Sequence, residues 1–390
     1  MPQIKKNTPA PCKLAARHCG GCPLLAMPYP EQLSLKQGQV QALLGGFGRV
    51  EPILPAPEPW HYRNKAIATF APGPRGKLTC GIYAEGTHQV LPAEDCLLQA
   101  EILNKTIAAA LSAANACHWP AFDEDTGEGL VWHLLLRCGR VGGQVLVTVV
   151  TARPVLPGSR NFVTALRKLA PWVTTVVQNI NPRKTSAVLG YQEKDKVLFG
   201  PGHILDTLCG LQFAISARSF YQVNPAQTER LYGKALEYAG LTGRETVLDA
   251  YCGIGTIGLC AAAHAGQVVG VELNTAAVRD AAANARRNHI TNAKFLCADA
   301  TEWMRGAAAE GFAPDVVFLD PPREGSTPAC ITAIAAMRPQ KIVYVSCNPE
   351  TLARDLTQLA KAGYRPQNIQ PVDMFPHSRH CEICVELSRK

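Results

Sequence analysis

The chain has 390 residues, 47% hydrophobic and 18% charged, with a formal net charge of +8. That length allows two or three domains with a core each, and the composition excludes a disordered or fibrous chain. No apolar run approaches a membrane span, and Met1-Pro2-Gln3-Ile4-Lys5-Lys6 has no apolar segment behind its lysines, so neither a membrane partner nor a secretory signal is expected. A cytoplasmic protein is the expectation, its 15 cysteines serving as metal ligands, nucleophiles or core residues rather than as disulfides. The mild positive charge suits a polyanionic partner without requiring one.

Residues 1–59 read as a cysteine-rich segment with a linker helix. Cys12, Cys19 and Cys22 form C-x6-C-x2-C, with Gly20 and Gly21 letting the backbone fold back so that three sulfurs converge. Cys96, in Pro92-Ala93-Glu94-Asp95-Cys96, is the fourth ligand that the context favours. Four thiolates suit an iron–sulfur cluster or a tetrahedral zinc, and a single C-x2-C knuckle with two isolated cysteines leans towards the cluster. His18 is an alternative ligand. Leu33, Val40 and Leu43-Leu44 repeat at helical spacing over 31–45, Gly45-Gly46 stops the run, and four prolines between Pro52 and Pro59 mark a linker.

Residues 60–215 read as a β-rich domain. Strands are expected at 81–83, 134–137, 145–150 and 174–177, with helices near 100–114 and 160–169. His61-Tyr62-Arg63-Asn64-Lys65 sets an aromatic beside two cations, which suits base stacking and phosphate pairing but equally an ordinary solvated turn. The polar loop from Gln178 to Lys184 carries the same ambiguity.

From 216 to 390 strands alternate with helices, the mark of a parallel α/β sheet. The strand at 246–250 leads into Tyr251-Cys252-Gly253-Ile254-Gly255-Thr256, and later strands end in Glu272, Asp299, Asp320 and Cys347. Gly253, Gly255 and Gly258 spell G-x-G-x-x-G with an acid at ribose-binding distance, so a nicotinamide enzyme is the first rival. Asp249 before the glycine turn, where its carboxylate can orient a cationic amino-acid ligand, and Asp320-Pro321-Pro322 suit S-adenosylmethionine better, with Glu272 on the ribose hydroxyls and Asp299 where the adenine lies.

Arg323, not an aromatic, follows Asp-Pro-Pro, and the next strand ends in Ser346-Cys347-Asn348-Pro349. That moves the chemistry from nitrogen to carbon. A thiolate adding to C6 of uracil makes C5 nucleophilic towards a sulfonium methyl, and a base must then remove the C5 proton. Glu382, His377 and His380, all near the last strand, compete for that role.

These residues resemble the RNA uracil-C5 methyltransferase family. The matching stretches are the N-terminal cysteines, Tyr62-Arg63-Asn64-Lys65, Gln178-Asn179-Ile180-Asn181, Ser219-Phe220-Tyr221-Gln222-Val223-Asn224-Pro225, Asp249 to Gly255, Asp320-Pro321-Pro322-Arg323, Ser346-Cys347-Asn348-Pro349 and Asp373-Met374-Phe375-Pro376-His377. The resemblance implies a C-terminal Rossmann-like methyltransferase domain of the class I, S-adenosylmethionine-dependent kind, beside a β-rich RNA-binding domain. It makes Cys347 the nucleophile and Glu382 the base. Gln222, Tyr251, Glu272 and Asp320 hold S-adenosylmethionine, with Thr256 and Asp299 as further contacts, and Cys12, Cys19, Cys22 and Cys96 carry a [4Fe-4S] cluster. The family's tRNA branch lacks these cysteines, and only eleven residues precede Cys12, so a short 23S rRNA branch without an N-terminal β-barrel is expected, a tRNA target being the alternative. A non-catalytic iron–sulfur RNA-binding protein and a cytosine-C5 enzyme are the rivals. The latter usually adds a cysteine beside the Asp-Pro-Pro motif, where this chain has none.

Overall fold

Alternate residues of the strand Val131–Cys138 face a core of Ala66, Ala68 and Phe70 on one neighbour and Val145, Val147 and Val149 on the other. This strand lies in a computed structural model that describes residues 12–183, 187–190 and 195–390; the expected readings on 1–6 and Lys184 fall outside them. The chain divides into two compact units, one of 1–22, 58–207 and 213–218, the other of 23–57, 208–212 and 219–390. The N-terminal segment is therefore shared between the units, its cysteines in the first and its helix in the second.

The first unit holds a seven-stranded sheet in the order Val90–Pro92, Leu78–Tyr83, Lys65–Pro72, Val131–Cys138, Val145–Thr151, Val173–Ile180, Lys196–Phe199. Only the pair Val145–Thr151 and Val173–Ile180 is parallel, because the helix Ser159–Leu169 carries the chain back between them. That helix and Glu101–Ala116 supply Phe162, Leu166, Leu103 and Ile107 to the same core.

The second unit is an eight-stranded sheet in the order Arg49–Val50, Tyr364–Val372, Glu382–Arg389, Lys341–Ser346, Val316–Leu319, Thr246–Ala250, Gln267–Glu272, Ala293–Cys297. Every pairing is parallel except those of Glu382–Arg389, which runs against both neighbours. Central strands such as Val316–Leu319 are buried throughout, as a sheet covered by helices on both faces requires. Each fully buried Leu, Ile or Phe contributes about 1.5–3 kcal/mol. The topology brings the carboxyl ends of the seven parallel strands and the amino end of Glu382–Arg389 to one edge, the edge where open α/β sheets bind ligands. Among the described residues no helix is long and apolar enough to cross a membrane.

Candidate active site

The strand Lys341–Ser346 stops because Asn348 and Pro349 start a helix. The Asn348 side chain accepts from the Glu350 N–H at 3.0 Å, and Pro349 opens Pro349–Lys361, where its missing N–H costs nothing. Cys347 is thus left between a buried strand and a capped helix, half-buried at the sheet edge. On the antiparallel neighbour Ser346 pairs with Ile383, so Glu382, the first residue of that strand, stands beside the end that Cys347 leaves. Leu319 pairs with Tyr344 on the other side, which brings Asp320 to the same edge.

The electrostatics follow from this proximity. Burial raises the Cys347 thiol above its usual range, the Glu382 and Asp320 carboxyls push it further, and Arg323 pulls it back. Glu382 is buried and pushed up to about 8, first by burial and then by Asp320, with Arg323 again opposing. Asp320 keeps part of its surface open, yet the protein around it raises its carboxyl to about 7. An acid–base group poised near neutrality beside a thiol is a constellation for covalent catalysis. His377 and His380 are placed otherwise. The buried His377 ring meets Gln32 Nε2 at 3.1 Å and its backbone N–H donates to Gln32 Oε1 at 3.0 Å, while His380 is exposed.

The glycine turn builds the neighbouring part of the edge. Tyr251 (φ +66°), Gly253 (φ +56°) and Gly255 (φ +81°) take left-handed backbone, which folds the chain tightly from Thr246–Ala250 into Thr256–Ala262. Glu272 braces it, accepting from the N–H of Gly253 at 3.1 Å and of Asn274 at 2.7 Å. Asp249 does not reach outward to a cationic ligand as its position in the sequence suggested. It is buried beneath the turn, accepts from the Gly258 N–H at 2.9 Å and is pushed up to about 7 by burial. Gly258 has no room for a side chain: a Cβ there would lie 2.7 Å from Asp249 Oδ2.

Tyr251 and Thr256 belong to the turn itself, while Asp299 and Gln222 stand at or before other helices. Thr256 Oγ1 meets the Tyr232 hydroxyl at 2.9 Å, and Tyr251 donates to Cys330 Sγ at 3.6 Å. Asp299 caps the helix Ala300–Ala309 through the Glu302 N–H at 2.9 Å. Gln222 is buried in the segment before Pro225–Ala239, two residues from Asn224, which caps that helix and donates to the Met374 carbonyl at 3.1 Å.

The Asp373-Met374-Phe375-Pro376-His377 stretch is held by the helix Tyr29–Leu44, a link that the sequence did not disclose. Asp373 and Lys36 form a fully buried ion pair, Tyr29 donates to Asp373 Oδ2 at 2.7 Å, and Lys36 also donates to the Phe375 carbonyl at 3.0 Å. Only the apolar repeat on Tyr29–Leu44 was legible, whereas Gln32 and Lys36, two of its four buried residues, are polar.

In the first unit the four expected metal ligands draw together. Cys12, Cys19 and Cys96 pack against Leu14, Ala84, Leu91 and Ala93. The Cys22 thiol is pushed up to about 12 by burial and by Cys96, Cys19 and Cys12, with Arg63 opposing. Four soft donors and a neighbouring cation fit the chemistry of a thiolate-bound metal centre, which displaces the thiol protons that burial otherwise retains. Their side chains do not close around an ion, however: among the described residues no three His, Cys, Asp or Glu side chains form a group that could hold a metal.

The family model for tRNA (uracil-5-)-methyltransferase matches residues 178–390. An uncharacterized RNA methyltransferase of Halalkalibacterium halodurans is 43% identical over 387 residues, covering 98% of this chain and 83% of the relative. A second, from Bacillus cereus, is 41% identical over 397 residues, covering 99% and 85%. The crystal structure of Pyrococcus abyssi tRNA (uracil-54, C5)-methyltransferase in complex with S-adenosyl-L-homocysteine superposes with a TM-score of 0.79 at 28% identity, covering 95% of this chain and 84% of that one. The chain is an enzyme of the RNA (uracil-5-)-methyltransferase family, with the S-adenosylmethionine-dependent methyltransferase fold.

Proposed function

We propose that this protein methylates C5 of a specific uridine in 23S rRNA. The observation that carries the chemistry is the meeting of Cys347 and Glu382 at adjoining strand ends, with Asp320 and Arg323 in electrostatic reach of both. The Cys347 thiolate adds to C6 and the ring electrons move to the C4 oxygen. C5 then takes the methyl from the sulfonium of S-adenosylmethionine. The Glu382 carboxylate removes the C5 proton, the C5–C6 double bond re-forms and Cys347 leaves. A uracil within folded RNA cannot reach Cys347, so the base is extruded, at a cost of about a few kcal/mol. Gln222, Tyr251, Glu272 and Asp320 hold the methyl donor, with Thr256 and Asp299 beside them.

The rRNA target is favoured by the four cysteines, which resemble those of the rRNA branches. A tRNA target is the second reading, favoured by the likeness to the Pyrococcus abyssi tRNA enzyme. Cys12, Cys19, Cys22 and Cys96 would hold a [4Fe-4S] cluster of structural role, since the proposed reaction moves no electron. Iron and sulfide analysis after anaerobic purification tests this: about four of each per chain, lost in Cys96→Ser, supports the cluster, and zinc in their place refutes it.

RNA containing 5-fluorouracil tests the reaction. Fluorine at C5 cannot be removed by a base, so a covalent enzyme–RNA adduct that survives denaturing gel electrophoresis accumulates with the methyl donor present and vanishes in Cys347→Ala. Its position in 23S rRNA or tRNA names the target. No adduct with either RNA, despite confirmed donor binding, refutes the uracil mechanism.

A further inference from the structure

Asp320 leads into the loop Pro321-Pro322-Arg323-Glu324-Gly325-Ser326, and the helix that follows Cys347 ties this loop down. Asp355, on that helix, is fully buried: its Oδ2 accepts from the Ser326 N–H at 2.6 Å and the Tyr344 hydroxyl at 2.7 Å, and its Oδ1 accepts from Arg354 Nε at 2.9 Å. Arg354 Nη2 donates to the carbonyls of Glu324 at 2.7 Å and Ser326 at 3.1 Å. One turn nearer Cys347, Thr351 Oγ1 and Asn348 Nδ2 donate to the Arg323 carbonyl at 3.1 and 3.3 Å. Gly325 (φ +77°) lets the loop close over the pair, since a Cβ there would lie 2.5 Å from Asp355 Oδ2 and 2.6 Å from Arg354 Nη2. Donors and acceptors that the loop would otherwise bury unpaired are thus satisfied by the nucleophile's own helix.

We propose that Asp355 and Arg354 are positioning residues: by lacing the 321–326 loop to the helix behind Cys347, they hold Arg323, whose carbonyl accepts from Asn348 and Thr351, beside the nucleophile's end of that helix. The inference rests on the reading of Cys347 as nucleophile. Three charged groups face this thiol. Glu382 and Asp320 raise it and Arg323 lowers it, with the Arg323 effect larger than that of Asp320. Releasing the loop moves Arg323 away while Asp320, next to the strand Val316–Leu319, stays in place, so the change is upward and the thiolate becomes scarcer near neutral pH.

The test is the pH dependence of Cys347 alkylation by iodoacetamide in the full-length protein, followed on its own peptide by mass spectrometry because the chain has 15 cysteines. Asp355→Asn, Arg354→Ala and Arg323→Ala should each move the midpoint upward, by about one pH unit for Asp355→Asn, which is about tenfold slower alkylation near neutrality. Affinity for S-adenosylhomocysteine should stay at the wild-type value. Should Asp355→Asn not fold, Arg354→Ala decides, since that side chain is 48% exposed and its loss leaves no cavity. Folded variants with lowered melting temperatures but wild-type alkylation profiles would reduce the network to a structural role and overturn the proposal, as would an Arg323→Ala profile that overlays the wild type. The readout needs no RNA, so it stands whether or not the fluorouracil adduct forms.

Discussion

Cys347 and Glu382 flank the last pair of an antiparallel ladder, Ser346 with Ile383, so a thiol and a buried carboxyl leave the same end of adjoining strands. Backbone pairing fixes that separation, and side-chain packing need only tune it. Holding nucleophile and base on rigid strands supplies the orientation that a two-step covalent reaction needs.

Replacing Glu382 by Gln separates the steps. Addition and methyl transfer need only the thiolate, whereas elimination needs the base. With ordinary uracil-containing RNA, Glu382→Gln should accumulate a methylated covalent adduct on denaturing gels while turnover falls about 10²–10⁴-fold. Turnover within twofold of wild type would move the base role to another group.

Stability should fall as pH rises. Glu382 is raised from 4.5 to about 8, and Asp249 and Asp320 each from 3.8 to about 7, so the folded state holds protons that the unfolded chain has released. Their stabilising contribution is fully present below the ordinary carboxylate range and is lost as pH rises through about 7 to 8. Urea midpoints between about pH 5 and pH 9 should decline across this window, and Glu382→Gln should flatten its alkaline end.

The buried Lys36–Asp373 pair predicts a large, one-sided cost. Both side chains are fully inaccessible, so Lys36→Met leaves an uncompensated carboxylate and should destabilise the second unit by about 3–5 kcal/mol in urea unfolding. The double variant Lys36→Met/Asp373→Leu should recover much of this loss. A single variant of wild-type stability would show the pair to be energetically idle.

Gly258→Ala tests the floor of the glycine turn. The added methyl would lie 2.7 Å from Asp249 Oδ2 and 3.2 Å from Val268 Cγ1, so the Asp249 carboxyl must move and its bond to the Gly258 N–H weaken. Calorimetry should find S-adenosylhomocysteine bound at least about tenfold more weakly.

How much of this was legible beforehand depends on the range of the signal. The strand–helix alternation, the glycine turn and the helix start at Asn348-Pro349 are local patterns, because period, capping and turn chemistry act over a few residues. They sufficed to list Cys347, Glu382, Glu272, Asp299 and Asp320 as strand-end residues, and the motif resemblance supplied Gln222, Tyr251 and Thr256. Asp249 was legible as a carboxylate but not in direction. Its side chain turns inward to the Gly258 N–H, nine residues on, and only the folded turn reveals that.

The sequence by itself determined the strand–helix alternation from 246 to 347 and which cysteine ends a strand, because each follows from neighbours along the chain, while the strands Lys65–Pro72 and Tyr364–Val372 went unread. The tertiary structure alone decided that Glu382 runs antiparallel beside Cys347, that Lys36 pairs with Asp373 across more than three hundred residues, and that Asp355 holds the loop after Asp320. Those relations depend on strand order and on burial. Desolvation makes a carboxylate seek whichever donor the fold brings to it, and that donor's place in the chain carries no local mark.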